Sequence, residues 1–384
     1  MRVVRLEKLK TPFAIAVSGG GDSMALLRLA HAIHGSAGVV ALTVDHRLRK
    51  SSAAEARKVK LWCRALGLEH HSLKWQHDKV STGLQAKART ARYDLMAVWC
   101  GKHKIRILLT AHTADDQAET VAMRMKRTSS PASLASIWPE ANWQGVRILR
   151  PLLSKRRSAL RKYLHSCGQQ WIEDQSNTDE KFERVRIRNA KPNINLAKVA
   201  TIAQRKVITS KREAQRWANK NCLITPSGMV QFGAGSLTSI SLIARDEALQ
   251  KIITLCGGTE TELAKRQELL NWFQNQESPR RTLGRVVFAK TKLGICAAKE
   301  AARIDARPQA VTSAAPMIWD SRFRIAAPKG STVIAKCYVK HMKRNNKLPF
   351  FVDQSLPVVQ LPNHVSIDAV QSPSALVTAI FIKK

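Results

Sequence analysis

Phe13-Ala14-Ile15-Ala16-Val17-Ser18-Gly19-Gly20-Gly21-Asp22-Ser23 is an apolar run that breaks into three glycines held between serines. Five apolar residues without polar alternation read as a strand covered on both faces. From Asp22 to about His34, Met24, Leu27 and Ala30 recur at helical spacing, so the stretch reads strand, tight turn, helix. Successive glycines permit positive φ and let backbone N–H groups close on an anion. The helix start adds positive potential at the same point. Ser18 and Ser23 offer hydroxyl donors to phosphate oxygens. Asp22 would repel a phosphate unless it binds Mg²⁺ or caps the helix, which points to a metal-bound nucleotide. The stretch contains neither G-x-x-x-x-G-K-[ST] nor G-x-G-x-x-G, so it is a different kind of phosphate loop.

Outward from this turn the first half alternates strands and helices. Val39 to Val44, Leu68 to Trp75 and Ile105 to Leu109 read as strands; Ala53 to Leu66, Leu84 to Trp99 and Asp115 to Lys126 read as helices. Repeated βα units predict an α/β fold, a doubly wound and mostly parallel sheet of Rossmann-like type, with ligands beyond the carboxyl ends of the strands. Thr128-Ser129-Ser130-Pro131 is a loop signal, and Lys155 to about Ser166 is a further helix. Between Arg186 and Lys220 ten basic residues face one acid, Glu213, on a mostly helical pattern. This is either a solvated face or a ridge for a polyanion. Helices near Asp246 to Leu255 and Leu263 to Asn275 precede strand-like pieces at Arg285 to Lys290 and Leu293 to Ala297. The expected division is a catalytic domain over 1–190, a basic helical and α+β region over 191–300, and a small C-terminal region over 301–384.

Sixty-four Lys and Arg against 28 Asp and Glu give a net charge of +36 in 384 residues, which raises the odds of a phosphate-rich partner such as nucleic acid. Hydrophobic content of 44% is that of an ordinary globular protein. No uninterrupted apolar run is long enough to span a membrane, and no secretory h-region follows Met1, so a cytoplasmic protein is expected. Seven cysteines occur with no C-x-x-C, which argues for reduced thiols rather than disulfides or a zinc or iron–sulfur site. The His31/His34 and His70/His71 pairs lack ligand partners at metal spacing and read as packing or surface histidines.

The loop Ser18–Ser23 matches the S-G-G-x-D-S pattern of the PP-loop, or N-type, ATP pyrophosphatases. Within that superfamily, further stretches resemble the tRNA(Ile)-lysidine synthetases. Val44-Asp45-His46-Arg47-Leu48-Arg49 is similar to V-D-H-G-L-R. Ala88-Arg89 with Arg92-Tyr93 is similar to A-R-x-x-R-Y. Ala111-His112-Thr113-Ala114-Asp115-Asp116-Gln117-Ala118-Glu119-Thr120 is similar to A-H-x-x-D-D-Q-x-E-T. Arg150-Pro151-Leu152-Leu153 and Asp174-Gln175-Ser176-Asn177, with Arg184, Arg186 and Arg188, also fit. The resemblance runs in order over about residues 10–190, with weaker echoes at Leu283-Gly284 and Trp319-Asp320-Ser321-Arg322-Phe323.

The resemblance implies a cytidine-modifying ligase that uses ATP and Mg²⁺, with free L-lysine and the CAU-anticodon isoleucine tRNA as its other substrates. Ser18, Gly19, Gly20, Gly21, Asp22 and Ser23 would hold pyrophosphate, Asp22 would help position Mg²⁺, and Asp45 would lie beside the adenosine. Asp116 and Glu119, three apart on one helix face, would receive the lysine ammonium. His112 and Asp115 are then candidates for metal or base positioning, and Arg92 for neutralising the leaving phosphate or orienting the adenylate. For Asp115 a capping arrangement is the competing reading, and for Arg92 an ion pair with Asp94. The chain departs from the family at Arg47, where a glycine is usual, and at Arg127-Thr128-Ser129-Ser130-Pro131, where the loop is usually glycine-rich. Two other functions stand beside this one: a PP-loop tRNA thiolase, which generally needs paired or clustered cysteines, and a non-catalytic basic RNA-binding protein.

Overall fold

The computed structural model describes residues 5–47, 52–76, 83–128, 130–173, 183–275, 278–292, 294–305, 307–313, 315–338, 348–362, 366–370 and 378–381. Leu48, Arg49, Ser129 and Asp174 to Asn177 of the motifs quoted above lie outside the described residues. The chain divides into two units, 1–207 and 208–384.

The first unit is built on strands β1 (Phe13–Ala16), β2 (Val39–Asp45), β3 (Glu69–Lys74), β4 (Ile107–Leu109), β5 (Glu140–Trp143) and β6 (Val146–Leu149), in the order β3-β2-β1-β4-β6-β5. All neighbours pair in parallel except the β5/β6 hairpin. Its helices are α1 (Gly21–His34), α2 (Ser52–Ala65), α3 (Leu84–Lys102), α4 (Ala114–Met125), α5 (Pro131–Leu134), α6 (Arg157–Ser166) and α7 (Glu183–Asn189); α8 (Leu196–Asn221) crosses into the second unit. The uninterrupted apolar character of β1 follows from its place. Phe13 and Ile15 pack with Met24 and Leu27 of α1, Val59 and Cys63 of α2, and Leu160 and Leu164 of α6. Ala14, on the other face, packs with Tyr93, Met96 and Ala97 of α3. The sheet is therefore doubly covered, as expected for a mostly parallel sheet.

The β5/β6 hairpin has no counterpart in the sequence reading. Gln144 and Gly145 both take positive φ, 48° and 83°, the two-residue turn whose twist matches the flanking strands. The strand order reverses between β1 and β4, so the carboxyl ends of these two strands open a crevice.

The second unit carries β7 (Leu223–Ile224), β8 (Val230–Phe232), α9 (Leu242–Leu255), α10 (Leu263–Gln274), β9 (Arg280–Leu283), β10 (Val286–Thr291) and β11 (Gly294–Lys299), the strands ordered β7-β8-β11-β10-β9. Trp217, Leu249, Ile252, Trp272 and Phe288 form its main core. Beyond it lie a four-stranded and a three-stranded sheet, so the expected smaller α+β region is mostly strand at its end. Among the described residues no helix is long and apolar enough to cross a membrane.

Candidate active site

β1 delivers Ser18 to the crevice, and the turn is fixed by its own serines. The Ser18 N–H donates to Ser23 Oγ at 3.2 Å, and the Ser23 hydroxyl donates to the Gly20 carbonyl at 2.8 Å. Gly19 sits at φ 85°, and a Cβ there would lie 2.6 Å from Ile172 Cδ1 and 2.9 Å from Val59 Cγ2. Gly20 is the N-cap of α1 without a side-chain cap, so the first-turn N–H groups of the helix are left for an incoming acceptor. At Gly21 a Cβ would meet the Arg161 guanidinium at 2.6 Å; this arginine of α6 lies directly over the loop.

Asp22 does not cap the helix. Its Oδ2 accepts from Arg157 Nε at 3.1 Å, whereas Oδ1 is buried and has no hydrogen-bond partner. Burial raises its carboxyl above the ordinary range, against the pull of Arg157. A buried carboxylate oxygen with an unused lone pair beside a phosphate-type loop fits Mg²⁺, which takes one or two carboxylates and completes its shell with waters and phosphate oxygens. Among the described residues no cluster of three His, Cys, Asp or Glu could form an all-protein metal cage.

Loop, strand ends and helices enclose a cavity of about 680 Å³, within the range of small-molecule sites. Ser18, Gly20–Ser23, Asp45, Arg92, His112 and Asp116 all line it. Asp45, at the end of β2, accepts the N–H of Arg47 at 2.9 Å. Arg47 is in the left-handed region at φ 52°, which explains why a glycine suits this position: an L-residue there costs about 1–2 kcal/mol. Arg89 and Arg92 flank Tyr93, their guanidinium carbons 5.1 and 5.4 Å from its ring centroid. Asp94 is occupied elsewhere, accepting from Trp143 Nε1 and Gln144 Nε2, so the alternative ion pair to Arg92 does not form. His112 Nδ1 lies 3.1 Å from Thr110 Oγ1. Burial, then the positive charge of Arg150, pushes the ring down to about 3, leaving a neutral imidazole.

α4 starts on a capping box: Thr113 Oγ1 accepts from Asp116 N, and Asp116 Oδ2 accepts from Thr113 N at 2.8 Å and Thr113 Oγ1 at 2.7 Å. One turn on, Glu119 is on the same face. Asp116 Oδ1 accepts from Arg157 Nη2 at 3.1 Å and Arg184 Nη2 at 2.7 Å. Glu119 Oε1 accepts from Arg157 Nη1 at 3.1 Å and Arg188 Nε at 2.8 Å; Oε2 accepts from Arg184 Nε and Arg188 Nη2. Burial alone would raise both carboxyls, but the arginines outweigh it and hold both below their ordinary values. Asp115 points away from its neighbour. Its Oδ2 accepts the backbone N–H of Arg157 at 2.8 Å, at the first turn of α6, and it does not line the cavity. Its place is therefore the capping one, at a different helix from its own.

Sequence reasoning missed Arg157 and Arg161 and gave no role to Arg184 and Arg188. A signal existed in the spacing: each pair is four apart, so each presents two guanidiniums on one helix face. The histidine pairs do pack: His34 meets the Leu6 carbonyl, His70 meets Thr43, and His71 meets Glu69 and the Trp99 ring. All seven cysteines are free thiols, and none lines the cavity.

A phosphate loop at the switch point of a parallel sheet, with acids and arginines converging on one cavity, defines a nucleotide-dependent α/β enzyme site. The PP-loop domain family matches residues 3–193. The tRNA(Ile)-lysidine synthase of Rhizobium meliloti (strain 1021) is 31% identical over 346 residues, 84% of this chain and 74% of that one. That of Anaplasma marginale (strain St. Maries) is 31% identical over 333 residues, 83% and 72% respectively. The chain belongs to the tRNA(Ile)-lysidine synthase family. Its first half is more similar still to the Ruegeria pomeroyi tRNA(Ile)-lysidine synthase, 42% identical over 178 residues, a match that spans 46% of this chain and 42% of that relative.

Proposed function

We propose that this chain is a cytoplasmic ATP-dependent ligase that joins L-lysine to C2 of the wobble cytidine of the CAU-anticodon isoleucine tRNA. The observation that carries the reading is the convergence on one cavity of a pyrophosphate-type loop, through Ser18 and Gly20–Ser23, and of Asp116, with Glu119 set behind the lining and joined to Asp116 by the shared guanidiniums of Arg157 and Arg184. In the first step O2 of the cytosine attacks the α-phosphorus of ATP and pyrophosphate leaves. The loop amides and Arg161 receive the leaving charge. Mg²⁺, held through Asp22, would neutralise phosphate charge and orient the triphosphate. In the second step the lysine ε-amine attacks C2, and AMP departs with the electrons of the C2–O2 bond.

Free lysine is an ammonium at neutral pH, with a pKa of about 10.4, and must lose a proton before it attacks. Asp116 and Glu119 are ionised carboxylates suited to bind the cation. His112, held neutral at about 3 by its buried setting, is too weak a base to keep that proton, and its ring nitrogen serves to orient the amine by accepting a hydrogen bond while the proton leaves to solvent. Arg89 and Arg92 form the basic wall on which the adenylate phosphate or the phosphodiester of the everted nucleotide would rest. The basic residues from Arg186 to Lys220 other than Arg188, which is turned onto Glu119, and the overall charge of +36 supply affinity for the tRNA backbone.

The test is mass analysis of isoleucine tRNA transcript incubated with the chain, ATP, Mg²⁺ and lysine. A lysine-sized adduct on the wobble cytidine is expected. A sulfur-sized adduct would favour a thiolase instead, a reading weakened by the thiols of Cys63, Cys222 and Cys256, which burial pushes up to about 12.

A further inference from the structure

The two carboxylates proposed to hold lysine are already full. Each of the four oxygens of Asp116 and Glu119 accepts two hydrogen bonds, six of the eight from Arg157, Arg184 and Arg188 and two from Thr113. A carboxylate offers about four lone-pair sites, so an ammonium can enter only by displacing a guanidinium. Arg157 also reaches the nucleotide side. Its Nε donates to Asp22 Oδ2 while Nη1 and Nη2 donate to Glu119 and Asp116, all at 3.1 Å.

We propose that Arg157 is the positioning residue that couples the two halves of the cavity, moving from the acid pair to phosphate when nucleotide binds and so opening the lysine site. This rests on the reading of the cavity as the two-substrate site of lysine ligation. Three observations support the transfer. Arg157 lies one helical turn from Arg161, whose guanidinium overlies Gly21, so a triphosphate on the loop meets both side chains and offers bidentate, charge-assisted acceptors. The Arg157 backbone is anchored by its N–H to Asp115 Oδ2, which fixes the root of the side chain and leaves its end to choose between partners. The exchange conserves charge at the acids: the guanidinium that vacates Asp116 Oδ1 and Glu119 Oε1 is replaced by one ammonium with three donors, while Arg184 and Arg188 keep the remaining lone pairs filled. Order of addition follows. Lysine enters after nucleotide, and the acids are never left bare.

The experiment measures L-lysine binding to the full chain by equilibrium dialysis, with and without α,β-methylene-ATP and Mg²⁺. Lysine is expected to bind at least tenfold tighter with the analogue, and the analogue tighter with lysine by the same factor, since coupling is reciprocal. Arg157→Gln and Arg157→Lys both abolish the three-way bridge, the second while keeping the charge, and in each the factor is expected to fall to about one. Equal lysine binding with and without the analogue in the unaltered chain overturns the proposal, as does coupling that survives both substitutions. The tRNA adduct is assayed in parallel. Adduct without coupling overturns the role of Arg157 and leaves the ligase reading standing; no lysine binding in either condition and no adduct overturn both.

Discussion

Glu119→Gln tests the electrostatic heart of the site, because it preserves shape and removes one charge. Glu119 is 2% exposed and takes four hydrogen bonds from three arginines. The amide nitrogen of the variant must face guanidinium donors, so two acceptor positions are lost along with the charge. Breaking a buried ion pair from one side typically costs about 3–5 kcal/mol. Arg157, Arg184 and Arg188 are 21%, 41% and 30% exposed, so water recovers part of their solvation, and about 2–3 kcal/mol is the better expectation. That loss falls on α7, which Arg184 and Arg188 tie to α4. Hydrogen exchange of the α7 amides at neutral pH should accelerate about 30- to 150-fold. Exchange unchanged within twofold would refute the account. The pH dependence gives a second check. The native Glu119 carboxyl lies below its ordinary value, so its contribution is complete above the unfolded pKa of about 4.3 and fades as pH falls through the native value. The difference between the two proteins must therefore shrink on acidification, and a constant difference would show that shape, not charge, was lost.

Gly19→Ala combines a left-handed φ with a Cβ 2.6 Å from Ile172 Cδ1, a strain of about 1–3 kcal/mol before any repacking; binding of α,β-methylene-ATP by dialysis should weaken at least tenfold, and wild-type affinity would remove Ser18–Ser23 from the nucleotide site. Asp22→Asn keeps the hydrogen bond to Arg157 but not the anionic Oδ1, so nucleotide binding should lose most of its Mg²⁺ dependence, and a Mg²⁺ titration indistinguishable from wild type would count against Asp22. His70, held down to about 4 chiefly by burial, and His112, to about 3, are both neutral in the native state. Their ring signals should stay flat from pH 5 to 8, and the stability they contribute is complete above about 6.5 and lost as pH falls below it. A midpoint near 6.5 for either ring contradicts the assigned burial.

The parallel sheet was legible because its central strands β1 and β2 are buried and read as nearly plain apolar runs. The β5/β6 hairpin was not. Glu140-Ala141-Asn142-Trp143 alternates polar and apolar over only four residues, too short a stretch to register, and what holds it is remote: Trp143 Nε1 donates to Asp94 on α3, 49 residues earlier. In the second unit, β7 is two residues long and β8 three, too short for any period to register.

The candidate site divides along a similar line. Loop and acids were legible because each is a local pattern on one turn or one helix face. The arginines that complete the site come from 38 to 69 residues further along the chain, and nothing local separates Arg157 from Arg156. The helix start does: Arg156 is the N-cap of α6, half-exposed and 3.5 Å from Asp115, while Arg157 is its first residue and turns inward. Asp115 sets that start by accepting the Arg157 N–H. A shift of α6 by one residue would present Arg156 to the cavity with a different reach, and Asp22, Asp116 and Glu119 would lose their common partner. The side-by-side acids of Asp115-Asp116 thus have unequal duties. Asp116 faces the cavity, and Asp115 fixes the phase of the helix that brings Arg157 to it.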